Sequence, residues 1–201
     1  MRNRVIILLW AGIILLAGGT NVSAAMPEDS FVAAKKFDSR YFTVQLQAGI
    51  DELSLVQSLN IGPEHTIFNG QELPAGASFS PNNLGDVLDA LFSWSCGVLD
   101  MQLYTYRGNI KVVRDENSLS DIYRNLYGVD RKGEKGFYVY EINTLYVVAA
   151  DFTKEIVGHE IAHAIISNFF VVQPPTKVQE VLAGYIEYQL RKKSTVQIPA
   201  P

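Results

Sequence analysis

His159-Glu160-Ile161-Ala162-His163 is the stretch from which the rest of this chain is best interpreted. Two histidines four residues apart on a helix project from the same face about one turn apart, so both imidazoles can reach one metal ion. The glutamate between them lies to one side, where its carboxylate can touch a water on that metal without being a ligand. Zn²⁺ suits these donors, because it binds imidazole nitrogens and acidifies a bound water. The pattern predicts a zinc-binding helix with Glu160 as a general base.

The sequence around the motif is apolar. From Ile156 to Phe170 the motif glutamate is the only charged side chain, with the histidines taken as neutral. A solvent-exposed helix would carry Lys and Glu along such a span, so we expect this helix to be buried. Buried His and Glu side chains need polar partners, and a metal ion supplies them. Two of the three histidines in the chain lie in these five residues.

A third metal ligand is expected downstream, because catalytic zinc usually takes three protein ligands and one water. Gln173-Pro174-Pro175-Thr176 predicts a break, and a helical period follows it over 177–190. Glu180 lies in the second turn of that helix, and an antiparallel helix pair would bring it beside the histidines. Ala183 and Gly184, one turn further on, would let the two helices approach closely. The alternative is a solvated glutamate on an amphipathic helix.

Together, His159-Glu160-x-x-His163 and the downstream Glu180-Val181-Leu182-Ala183-Gly184-Tyr185 resemble the gluzincins. These are zinc metallopeptidases whose third ligand is a Glu in a helix of the type E-x-L-A-x-Y. Residues 136–140 and 143–148 resemble the strand pair before the metal helix in that family, whose edge strand hydrogen-bonds an extended peptide. The resemblance covers about residues 136–191. It implies one Zn²⁺ per chain, held by His159, His163 and Glu180, and a peptide or protein substrate.

The sequence departs from the family pattern in two places. The interval from His163 to Glu180 is shorter than in well-known members, and Gly184 stands where some of them carry an aspartate that orients a ligand histidine. Glu187, seven residues after Glu180, or a backbone carbonyl could orient that histidine instead. No sequence pattern identifies the hydrogen-bond donor that would stabilise the oxyanion. The tyrosines Tyr185 and Tyr188 are candidates, with core packing as the alternative.

The amino terminus has the pattern of a secretory signal peptide over residues 1–24. Arg2 and Arg4 precede a thirteen-residue apolar run, and Val22-Ser23-Ala24 supplies the small residues that a signal peptidase reads. We expect cleavage after Ala24 and export to the periplasm or the extracellular space. An uncleaved membrane anchor is the alternative, although the run is short for a bilayer span. No cysteine lies near this site, which argues against a lipoprotein.

Net charge and cysteine content indicate which partners, and which role of the thiol, to expect. The formal net charge is −4, and cleavage would remove two arginines and make it −6, which argues against a nucleic-acid partner. Cys96 is the one cysteine and lies in an apolar stretch. A buried structural thiol is expected, and a ligand that blocks the zinc is the alternative. His65, in a segment rich in turn residues, is expected at the surface, with an oxyanion role as the alternative.

Periodicity divides the rest of the chain into alternating elements. A flexible leader is predicted over 25–40, one domain over 41–193 and a disordered tail over 194–201. Strands are predicted at 41–46, 103–106, 110–113 and over the pair 137–148, and helices at 51–60, 83–94, 118–127, 152–170 and 174–193. Residues 103–113 are expected to form a hairpin around Arg107-Gly108-Asn109.

These elements predict an α+β fold, with a small, largely antiparallel sheet and a zincin-like pair of C-terminal helices that carries the metal site. The expected function is an exported zinc metallopeptidase that hydrolyses peptide bonds. A different class of function is a zinc-binding assembly or binding module with little or no activity. Glu160 argues against that alternative, since a structural zinc site needs no general base beside it.

Overall fold

The computed structural model describes residues 28–62 and 83–194. The predicted signal peptide, His65 and nearly all of the predicted tail lie outside the described residues. Within the described part, no helix is both long enough and apolar enough to cross a membrane.

Five strands form one sheet in the order β1-β2-β3-β5-β4. They are β1 Lys35–Asp38, β2 Phe42–Leu46, β3 Gly108–Val113, β4 Gly136–Val139 and β5 Thr144–Val148. The central strands β2, β3 and β5 run parallel, and the edge strands β1 and β4 pair antiparallel with their neighbours. The α+β class is confirmed, but the sheet is mixed rather than largely antiparallel. Parallel neighbours need long crossover connections, which this chain supplies as helices between the strands.

The predicted hairpin at 103–113 is wrong. Residues 103–106 form no strand, and β3 pairs instead with β2 and β5, so that Ile110 lies opposite Val44 and Leu145. Ile110, Val112 and Val113 are fully buried. The first part of β3 alternates polar and apolar residues, as a hairpin strand does, so its local sequence does not reveal its central position in the sheet. Of the predicted turn residues, Gly108 and Asn109 are the first two residues of β3.

The predicted flexible leader over 25–40 is wrong for β1, because these residues form a regular edge strand. Lys35 to Asp38 pair with Leu46 to Thr43 of β2, and the Ala34 N–H donates to the Leu46 carbonyl at 2.9 Å. The side chains of β1 are mainly exposed, so the segment lacks the apolar alternation that identifies a strand from sequence. Backbone hydrogen bonds to β2 hold this segment in place.

All five predicted helices are confirmed, with shifted ends. They are α1 Glu52–Leu59, α2 Leu84–Leu99, α3 Glu116–Tyr127, α4 Lys154–Phe169 and α5 Thr176–Ser194. Polar side chains cap four of the amino ends by accepting backbone N–H groups, which would otherwise lack partners. These caps are Asp51, Asn83, Asp115 and Thr153.

Helices cover both faces of the sheet. On one face, buried side chains of α1, α2, α4 and α5 pack with Val44, Ile110 and Leu145 in the larger core. On the other face, α3 packs with Phe137 and Tyr146 in a smaller core. Helix α4 contacts α5 on one side and the edge strand β4 on another. The face of α4 that carries the histidines therefore lies in a cleft between β4 and α5.

Candidate metal centre

Helix α4 brings the two motif histidines together. The Thr153 side chain accepts the Ile156 N–H at 3.4 Å and caps the helix one turn before the motif. The Nε2 atoms of His159 and His163 lie 3.2 Å apart, and their ring centroids are separated by 5.0 Å. Both Nε2 atoms therefore face the same small volume, as the four-residue spacing predicts.

Helix α5 returns antiparallel to α4 and supplies a carboxylate. Glu180 Oε2 lies 3.5 Å from His159 Nε2, and Oε1 lies 3.5 Å from His163 Nε2. The three residues offer ligand atoms within 4.8 Å of one another. Zn–N and Zn–O bonds of about 2.0–2.1 Å in a tetrahedral site separate two ligand atoms by about 3.3 Å. The spacing of these three side chains fits a tetrahedral metal.

Close approach of the two helices depends on Gly158, and not on Gly184 as the sequence suggested. A Cβ added at Gly158 would lie 2.3 Å from Leu190 Cδ1 and 3.4 Å from Ile186 Cγ2, whereas a Cβ at Gly184 would meet nothing within 4 Å. Ala183 is fully buried, so the prediction for it holds. Gly158 directly precedes the first histidine, so this close contact of α4 with α5 lies next to the group formed by His159, His163 and Glu180.

Glu160 lies beside the group formed by His159, His163 and Glu180 and does not belong to it. Its side chain is buried, with 8% of its surface exposed. Burial raises the pKa of Glu160 to about 8, the negative charges of Glu180 and Glu134 add to this rise, and the Arg131 guanidinium opposes it. A divalent cation beside the carboxyl would also oppose the rise. The result is a proton acceptor whose pKa lies nearer neutrality than that of an exposed glutamate.

Side chains of α5 also contact the outer sides of the histidines. His159 Nδ1 lies 3.6 Å from Glu187 Oε2, an ion-pair separation, and Arg191 donates to the other Glu187 oxygen. The sequence-based choice of Glu187 as an orienting group agrees with this position. Metal-binding histidines commonly have such a partner on the second ring nitrogen, which fixes the ring orientation.

Gln179 is a partner of His163 that the sequence did not reveal. Its Nε2 donates to the Pro174 carbonyl at 2.9 Å, and its side chain is a hydrogen-bond partner of His163. Burial and the neighbouring His159 lower the pKa of His163, which favours the neutral imidazole that binds metals. A glutamine on an amphipathic helix has no local signature of this role, so only the packed structure identifies it.

A cavity of about 360 Å³ opens between β4, α4 and α5. His159, Glu160, His163 and Glu180 line it, so the converging side chains are accessible to a ligand. The sheet edge of β4 that faces away from β5 pairs with no other described strand. Arg131, in the loop before β4, also lines this cavity and was not singled out from the sequence.

No family model, curated protein or solved structure matches this chain. The chemistry of the cavity must therefore be inferred from its own residues.

The remaining sequence candidates lie away from the cavity. Tyr185 and Tyr188 are 46% and 56% exposed and do not line it, so neither the oxyanion role nor the alternative of core packing fits their positions. Cys96 is buried in α2, and burial raises the pKa of its thiol to about 12. It is a structural thiol, as expected, and does not line the cavity.

Proposed function

We propose that this protein is a zinc-dependent metallopeptidase of the gluzincin type, in which His159, His163 and Glu180 hold one Zn²⁺ per chain. The observation that carries the proposal is their mutual spacing. Distances of 3.2 to 3.5 Å separate the two Nε2 atoms and the Glu180 oxygens, close to the separation in a tetrahedral zinc site. Three protein ligands leave a fourth position for water or substrate.

Glu160 provides the proton chemistry in this proposal. When bound, zinc supplies an acidified water and polarises the carbonyl under attack. The Glu160 carboxylate accepts a proton during attack and later passes it to the leaving amine. Its position supports this role, since Glu160 is buried and lines the same cavity as His159, His163 and Glu180.

The position of β4 supports a peptide as the substrate. A strand with a free edge can hydrogen-bond an extended chain through backbone groups. Gly136 of β4 lies beside Glu160, and a Cβ added there would be 3.3 Å from Glu160 Cγ. A peptide paired with β4 would therefore pass the general base. Together with the signal-peptide pattern at 1–24, this favours an exported enzyme that acts on peptides or proteins.

Glu160→Gln separates metal binding from catalysis. The variant should retain about one zinc per chain, because Glu160 is not a ligand, while hydrolysis of an unfolded protein or a peptide library falls at least about 10² to 10⁴-fold. Metal content by mass spectrometry and hydrolysis of labelled casein provide the two measurements. Glu155→Gln, on the same helix and outside the cavity, is the control and should change neither.

Two results would contradict this assignment. Loss of zinc from Glu160→Gln would make Glu160 a ligand. Stoichiometric zinc in the unchanged protein without hydrolysis of any peptide would favour the alternative function, a zinc-bound binding or assembly module.

A further inference from the structure

Arg131 lines one end of the cavity, where it forms an ion pair with Glu134. Among the described residues that line the cavity, it is the only lysine or arginine. It lies in the loop between α3 and β4 and lines the same cavity as Glu160. The far end of the cavity is lined by Tyr140, Ser167 and Thr176, which carry no charge. The cleft is thus electrostatically asymmetric along β4.

The Arg131 side chain is held in place. Its Nε lies 2.6 Å from Glu134 Oε1, and its guanidinium carbon lies 5.5 Å from the ring centroid of Tyr123. A hydrogen bond with Tyr123 raises the pKa of Arg131 above its ordinary value. A guanidinium has five N–H donors in a planar fork, and Glu134 contacts it at Nε. A half-exposed arginine that is already ordered loses less side-chain entropy when it binds a carboxylate.

The direction of β4 determines which end of a peptide would meet Arg131. Antiparallel pairing is the more stable arrangement for an added strand. A peptide antiparallel to β4 has its carboxyl-terminal side near the amino end of β4, at Gly136. Arg131 precedes that end of the strand, and Glu160 lies beside it. The residues that follow the scissile bond would therefore extend toward the guanidinium.

We propose that Arg131 binds a carboxylate on the carboxyl-terminal side of the scissile bond. The substrates would be peptides with a free C-terminal carboxylate, or with Asp or Glu, shortly after that bond. This inference rests on the proposed peptidase function and adds the substrate class to it.

The test uses zinc-loaded Glu160→Gln protein, which should bind peptides without cleaving them. Three libraries of acetylated hexapeptides are compared by affinity selection with mass-spectrometric readout. The first contains uncharged residues and a free C-terminus, the second has the same residues with a C-terminal amide, and the third adds one Glu to the amidated peptides. The first or third library should be enriched about tenfold over the second, as a charge-assisted hydrogen bond at a half-exposed site would give.

The two sources of the carboxylate give different results. Enrichment of the first library alone identifies the free C-terminus, and enrichment of the third identifies an acidic side chain. Arg131→Met in the same background should abolish the preference, and Arg131→Lys should keep part of it. Arg124→Met is the control, because this exposed arginine of α3 pairs with Asp121 and Asp130 and does not line the cavity.

Equal selection of all three libraries by the protein with Arg131 intact would overturn the inference, and this comparison does not depend on the variants folding. A carboxylate preference that survives in folded Arg131→Met would overturn it as well. Hydrolysis by the unchanged protein is measured separately on the same libraries. Absence of cleavage there, with the preference intact, would count against the peptidase and leave the carboxylate site standing.

Discussion

At the scale of single residues, Glu180 and Glu187 contact different sides of the histidines although both belong to α5. The Glu180 carboxylate lies 3.5 Å from each Nε2 atom, where a metal would bind, whereas Glu187 contacts the opposite side of the His159 ring. A direct ligand contributes a metal bond, and an orienting group acts only through the histidine. Their removal should therefore have different effects on zinc affinity.

Glu180→Ala should weaken zinc binding by more than about 100-fold, and Glu187→Ala by about 10- to 100-fold at most. Both variants are titrated with zinc against the same chelator and in the same buffer. Since Glu187 also pairs with Arg191, circular dichroism should check that α5 is unchanged. A larger loss in the Glu187 variant would transfer the third-ligand assignment to Glu187 and remove the main support for the gluzincin type.

The sequence revealed His159, Glu160, His163 and Glu180 because their spacing along helices implies proximity. The four-residue interval alone places two imidazoles together, and an antiparallel helix pair accounts for Glu180. Arg131 and Gln179 were missed for a physical reason. A loop cation and a helical glutamine reach the cavity only through tertiary packing, and their local sequence is that of ordinary surface residues.

At the scale of elements, the contact between α4 and α5 is tightest at Gly158. Gly158→Ala should lower stability by about 1–3 kcal/mol through overpacking, since Leu190 and Ile186 are fully buried and have little room to move. The same change should weaken zinc binding, because it pushes Glu180 away from the histidines. Thermal unfolding and zinc titration measure the two effects.

Gly184→Ala is the matched control on the facing helix. A Cβ at Gly184 meets nothing within 4 Å, and alanine is the better helix former by up to about 1 kcal/mol. This variant should be as stable as the parent protein or more so, with unchanged zinc affinity. Equal destabilisation by the two substitutions would mean that helix α4 and helix α5 are not held together at Gly158.

Strand pairing was the part of the fold that could not be predicted from local sequence. Each helix has an apolar pattern along its own sequence, and four begin at a polar capping residue, so all five were predicted, with ends displaced by up to five residues. The partners of β3, in contrast, are two strands far from it in sequence, β2 and β5. The local sequence of residues 108–113 fits pairing with 103–106 as well as pairing with β2 and β5, and only the whole sheet distinguishes these cases.

At the scale of the whole molecule, the two faces of the sheet pack against different parts of the chain. One face carries α4 and α5 with the candidate metal centre, and the other packs against α3 and the amino-terminal segment. On this second face Asp29 accepts hydrogen bonds from Lys111 of β3, from Tyr146 of β5 and from the Phe31 N–H. One carboxylate thus connects the start of the described chain to two central strands.

Asp29 should make stability depend on acid pH. Burial acts to raise the pKa of Asp29, but the hydrogen bonds from Lys111 and Tyr146 outweigh it, and the pKa lies below its ordinary value. A carboxyl whose pKa is lowered by folding stabilises the protein above its unfolded pKa, and this contribution is lost as pH falls through the folded value. Asp29→Asn should therefore cost about 1–3 kcal/mol at pH 7, and the deficit should shrink below about pH 4.

Urea unfolding of both proteins between pH 7 and pH 3 measures this deficit. Any zinc that the proteins bind would be released in acid from parent and variant alike, so its effect would cancel in the difference between them. Glu28→Gln, a change at the exposed acid one residue earlier, is the control and should leave the unfolding free energy within about 0.5 kcal/mol at every pH. If the Asp29→Asn deficit is absent at pH 7, the carboxylate does not join the amino-terminal segment to the sheet. If the deficit stays constant down to pH 3, the lost stability comes from packing. A contribution from the ionised carboxylate would disappear once that carboxylate is protonated.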